Sequence, residues 1–223
     1  VTAARGLFAK AVAEAGNAVS ALLRPGSAAR ELAKKPLKHV ITVFFAATFV
    51  ASGVLIVLLL LGLFLLALPS TKPGDVPVMA VVFALLLLFT ALMLAFEMMF
   101  IAVMLTLFNM AVWYLGKRLG GKAAMYPFLS ASLYQDLALT FVLSPLSVAS
   151  TAALFLLWPH RFAVLTVSML AYAAIMTVSK ARIATPLHGI SLWKGLLSAA
   201  PVYGAWFGLN LAAGLYALWL FFK

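Results

Sequence analysis

An all-α integral membrane bundle is the fold class this sequence predicts: five transmembrane helices behind an amphipathic N-terminal helix. Three observations predict it. First, 66% of the 223 residues are hydrophobic and only 9% are charged, against ~45–50% and ~25% in a soluble domain. Second, the apolar residues fall into five long runs, each long enough for the ~20 helical residues that cross ~30 Å of hydrocarbon. Third, the Lys and Arg side chains gather beside those runs, the pattern of membrane orientation and anionic-lipid contact. The net charge of +11 is therefore a membrane signal, and no nucleic-acid partner is expected. The chain has no cysteine, which removes disulfides, thiol catalysis and thiolate metal sites.

Taken in order, residues 1–36 form a cytoplasmic or interfacial arm and 37–223 the membrane domain. In the arm, Phe8, Val12, Ala15, Val19 and Leu22 recur at steps of four and three, one face of a helix. Lys10, Asn17 and Arg24 fall opposite, with Glu14 at the edge, and Pro25-Gly26 ends the helix. Such a basic amphipathic helix is expected in the headgroup plane or docked on a partner. Ser27 is the predicted cap of a second short helix carrying Arg30, Glu31, Lys34 and Lys35 and ending at Pro36. The first apolar run begins near His39, too late for a cleavable signal.

The spans are predicted at about 39–68, 77–116, 126–158, 161–183 and 192–222. The second would be about 60 Å long as helix. A hairpin near Glu97 would need Gly, Pro or a polar cluster, and Leu94 to Ile101 has none, so one long tilted helix is predicted. Pro145 predicts a kink or break in the third span. With the N-terminus inside, thirteen basic residues, among them Lys10, Arg24, Arg30, Lys34, Lys35, Lys38, Lys117, Arg118 and Lys122, lie in the cytoplasm. Only Lys72, Arg161 and Lys223 lie outside. That asymmetry predicts five spans, a cytoplasmic N-terminus and an external C-terminus. The nine cytoplasmic residues named are candidate contacts for anionic headgroups or a partner. Trp113, Tyr114, Trp158 and Trp193 fall at span ends as an aromatic belt, and Trp206 is a packing residue.

The run from Leu22 to Leu32, with Lys35-Pro36 leading into the first span, resembles the corresponding segment of the Yip domain family. So does Tyr114-Leu115-Gly116-Lys117-Arg118-Leu119-Gly120-Gly121-Lys122, where a long span ends in a Gly-Gly loop before a polar-flecked helix from Phe128 to Pro145. Gly189-Ile190-Ser191-Leu192-Trp193-Lys194 is similar to the family's approach to its last span. The resemblance implies a five-span membrane protein with a cytoplasmic N-terminus. In eukaryotes such proteins are linked to vesicle traffic and Rab GTPases. The short, Ala-rich form resembles a prokaryotic member, for which the family implies no settled activity, and a plasma-membrane location.

Chemistry is sparse. Glu97 and Asp136 are acidic groups deep in apolar runs, and an ionisable group there is a candidate functional site by default. No Lys or Arg is expected at their depth. Two carboxyls brought close in low dielectric would share a proton or bind a cation, with Gln135, Asn109 and Tyr134 as polar support. The competing expectation is structural: each acid protonated and bonded to a neighbouring helix. Gly120-Gly121 is either a phosphate-contacting loop or a plain turn. His39, His160 and His188 sit at three different span ends and read as interfacial; no metal or cofactor is expected. Ala200, Gly204, Gly208 and Ala212 recur every four residues as a small-residue ridge, expected to pack within the chain more than against another subunit. No catalytic constellation can be assembled. The predicted function is a non-enzymatic membrane scaffold that binds other membrane proteins or its own copies. The alternative is a transporter or channel for a proton, cation or small solute, although no internal repeat is evident.

Overall fold

A computed structural model describes residues 13–14, 16–20, 23–67, 73–157 and 160–221. Among them there is no strand. The helices are α1 (Pro25–Leu32), α2 (Leu37–Ala67), α3 (Val76–Arg118), α4 (Met125–Leu156), α5 (Arg161–His188) and α6 (Leu192–Phe221). A 3-10 turn, Pro73–Asp75, leads into α3. Among the described residues three helices are long and apolar enough to cross a membrane: Val76–Arg118, Arg161–His188 and Leu192–Leu220. Leu37–Thr48 is a shorter apolar helical stretch.

The chain divides into two compact units. The first, Ile41–Met104, is a helical hairpin. Gly53 faces Leu94 and Phe64 faces Phe83, whose ring lies 4.8 Å away. The two pairs run in opposite senses, so the helices are antiparallel about the 3-10 turn. Phe44, Thr48 and Leu94 are buried, while Leu85, Phe89, Leu92 and Phe96 are exposed, as lipid-facing side chains are.

The second unit joins Val1–Val40 to Leu105–Lys223. Here α5 and α6 form the most extensive contact, an antiparallel hairpin. It is close because of two glycines: a Cβ on Gly195 would meet the Ala181 carbonyl at 2.9 Å, and one on Gly214 would meet Leu165 at 2.9 Å. Ser198, Ala199 and Tyr203 are buried on the same side of α6. The predicted ridge is on the other side: Ala200, Gly204, Gly208 and Ala212 are all exposed. Packing within the chain is therefore a property of Gly195 and Gly214. The regular four-residue spacing did not distinguish the two faces of a helix rich in small residues on both.

Three further expectations are corrected. α4 continues through Pro145 as one helix, so of the kink or break expected there the break does not occur. α5 continues past Ile183 and through Pro186 to His188, where Gly189 (φ 66°) ends it and the Ile190 N–H returns to the Thr185 carbonyl at 3.2 Å. Ser27 is not the cap of α1. The helix begins two residues earlier at Pro25, whose fixed φ and missing N–H suit a first turn, and Ser27 Oγ donates back to the Arg24 carbonyl at 3.3 Å. Pro25, Ala28, Ala29 and Leu32 form its buried face, packed on α4 and α5.

Candidate functional site

The polar cluster Tyr134-Gln135-Asp136 lies on α4 in a fully buried stretch. Successive helical residues point about 100° apart, so each of the three reaches a different element. Tyr134 donates its hydroxyl to Glu14 in the arm at 2.5 Å. Gln135 Nε2 donates to the Ser179 carbonyl of α5 at 2.7 Å. Asp136 accepts at Oδ2 from Asn109 Nδ2 of α3 at 2.7 Å and pairs at Oδ1 with Lys180 Nζ of α5 at 2.5 Å. Lys180 also donates to the Ser132 carbonyl at 2.9 Å. One short stretch of α4 thus ties together the arm, α3 and α5.

Lys180 overturns the expectation that no cation reaches this depth. It is fully buried, as are Asn109, Gln135 and Asp136. A span ending at Ile183 makes Lys180 look like a flanking cytoplasmic charge. The actual end at His188 sets it two turns inside the helix, among buried Ala181, Ile183 and Ala184. The small and apolar residues at 181, 183 and 184 were the available signal. With Lys180 and Asn109 on its two oxygens, Asp136 does not need a second carboxyl to share a proton. Glu97 lies in the other unit, exposed on α3 beside Phe96 and Phe100.

A second cluster secures the arm. Glu14 takes the Tyr134 hydroxyl, Lys35 Nζ at 2.9 and 3.0 Å, Asn17 Nδ2 at 3.1 Å and the His39 ring at 3.0 Å. Lys35 also stands 5.1 Å over the Tyr134 ring. Partial burial raises the Glu14 carboxyl, but hydrogen bonds from Tyr134, Lys35, His39 and Asn17 outweigh this and lower it from 4.5 to about 2. The residues turned toward the protein are Glu14 and Ala18, while Val19 of the predicted apolar face is 52% exposed. Phe8, Lys10, Val12, Ala15 and Leu22 lie outside the described residues.

The Gly120-Gly121 loop is a helix end. Gly120 (φ 94°) donates to Lys117 and Gly121 to Gly116, the two closing bonds of a Schellman turn. Its neighbour is His188, which is buried rather than interfacial. A Cβ at Gly116 would lie 2.7 Å from its Nε2, and one at Gly121 would collide with Nδ1. Phe128 covers the ring at 5.1 Å between centroids, and the His188 carbonyl accepts the Lys122 N–H at 3.0 Å. Of the basic candidates, Arg24, Arg30, Lys34, Lys38, Lys117, Arg118 and Lys122 are exposed. Lys35 is engaged with Glu14. Trp193 and Tyr114 are exposed, Trp113 donates to the Ala123 carbonyl, Trp206 packs on Phe108 at 5.1 Å, and Trp158 lies outside the described residues.

Compared with family models, with curated proteins and with solved structures, the chain matches none. Among the described residues no group of His, Asp and Glu is placed to hold a metal ion.

Proposed function

We propose that the chain is a non-enzymatic integral membrane scaffold of Yip type, gathering other membrane proteins or copies of itself on the outer faces of its helices. The proposal takes α2 to α6 as five spans, with the N-terminus in the cytoplasm and the C-terminus outside a prokaryotic plasma membrane, and the exposed basic residues as headgroup or partner contacts.

The observation that carries it is Glu97. It is exposed on an apolar helix surface and has no partner among the described residues. A charged side chain at mid-bilayer costs on the order of 3 kcal/mol, and such groups almost always face protein or a hydrated cavity. A surface that presents one outward is therefore a surface another protein covers. The ridge of Ala200, Gly204, Gly208 and Ala212 offers a close backbone approach on a second face. The test is co-purification from native membranes with the wild type and with Glu97→Leu. A partner or second copy recovered with the wild type and lost with the variant supports the proposal. A strictly monomeric wild type with no partner ends it.

One observation favours the transporter alternative. Asn109 Oδ1, Ser132 Oγ and Gln135 Oε1 are buried without hydrogen-bond partners beside Asp136 and Lys180. Unmet polar atoms around an ionisable pair are what a transient proton or small solute would use. Proton or cation flux in liposomes, abolished by Asp136→Asn while the variant still folds, would select it.

A further inference from the structure

Where α1 begins, the arm and the α5–α6 turn border an open cavity of about 490 Å3. Arg24 enters it from the arm and Arg182 from α5, and no carboxylate lines it among the described residues. Both arginines are exposed, and neither has an ion-pair partner there. They are held at one cavity because α1 buries Ala28, Ala29 and Leu32 against α4 and α5. Two guanidinium groups lining one cavity concentrate positive charge there, and their planar forks suit phosphate oxygens. The N-terminus of α1, which carries no side-chain cap, opens on the same cavity and adds its positive dipole end. Thr185 also lines it, but its hydroxyl is turned away, into the seam between α5 and α6 against Gly195.

Leu23, Pro186 and Leu192 supply the apolar part of the wall, beside Ser27 of α1. Leu23 and Leu192 are 68% and 51% exposed. A free phosphate would use only the arginines, whereas a phospholipid uses both surfaces. The cavity also stands where Arg161–His188 passes to Leu192–Leu220, two helices able to cross the membrane, and hence at headgroup height. We propose that this cavity binds the phosphate-bearing headgroup of an anionic membrane lipid. Arg24 and Arg182 grip the phosphate, and Leu23, Pro186 and Leu192 carry the first part of the acyl chains. Bound there, the lipid ties α1 to α5. The site requires that α5 and α6 span the membrane, and is independent of whether the protein is a scaffold.

The test is binding of short-chain phosphatidic acid to the purified full-length chain in detergent, read by native mass spectrometry and by titration. Arg24→Gln, Arg182→Gln and the double variant are compared with Lys194→Gln, an equal charge loss at an exposed residue outside the cavity wall. Each arginine variant is expected to weaken binding by about tenfold and the pair by more, with Lys194→Gln within about twofold of wild type. Elution of every variant as the same monodisperse species shows that folding is unchanged. Leu192→Asn is expected to weaken the lipid as well. Wild-type binding by the double variant, or an equal loss with Lys194→Gln, overturns the site. Displacement of the lipid by an equimolar amount of inorganic phosphate, with Leu192→Asn binding like wild type, overturns the lipid and leaves an ion.

Discussion

Lys180 and Asp136 stand 2.5 Å apart with neither exposed, so each substitution there leaves a different charge unmet. Lys180→Met strands a buried carboxylate and is expected to cost about 3–5 kcal/mol. Asp136→Leu with Lys180→Met removes both charges and is expected to cost far less, because two apolar side chains need no pairing. Reversible unfolding in mixed micelles measures both; a double variant as unstable as the single would show that the pair does more than neutralise itself. Gly121 gives a second residue-scale outcome. Gly121→Ala drives a methyl into the His188 ring and is expected to lose about 1–3 kcal/mol, with part regained on adding His188→Ala. Asp136, Gln135, Asn109 and Tyr134 were all legible as polar groups in apolar runs. Their partners were not: Lys180 pairs with Asp136 from 44 residues away, and Glu14 meets Tyr134 from 120 away.

Among the elements, the arm is the one whose attachment depends on solution conditions. Its Glu14 carboxyl is lowered from 4.5 to about 2 on docking. A carboxyl lowered in the docked state strengthens docking fully above pH 4.5, and that contribution fades as the pH falls toward 2. Hydrogen exchange of the arm is therefore expected to rise progressively below pH 4.5. Glu14→Gln should flatten this response, and Tyr134→Phe should shift it upward toward the ordinary carboxyl range. An arm whose exchange ignores pH in the wild type would refute the latch. The periodicity of the arm marked an apolar face for headgroups or a partner, of which Val19 is described and exposed; it did not mark Glu14 and Ala18 as the residues that turn to the protein. A charged residue with four hydrogen-bonding partners is a better inward contact than a lone valine, and periodicity weighs only hydrophobicity.

For the whole molecule, the five crossings proposed above would place the two ends on opposite sides of the membrane. Single cysteines near each end, in a chain that has none of its own, are expected to label from opposite compartments. Gly208→Cys tests the uncovered ridge. Disulfide-linked dimers in native membranes are expected if a second copy covers it, and their absence together with no partner adduct removes that face from the scaffold proposal. Composition and run length alone determined that the chain is all-helical and apolar, because helix is the only structure that can satisfy every backbone group of an open chain in hydrocarbon. The uninterrupted stretch from Val78 to Leu115 likewise determined one long α3. Only the tertiary structure decided which charge neutralises Asp136, which glycines bring α5 and α6 together, and that His188 is buried. Those depend on rotation about each helix axis and on a helix end moved by a single turn. In a helix apolar on every side no sequence pattern records the rotation, and only the small and apolar residues at 181, 183 and 184 hinted at the later helix end.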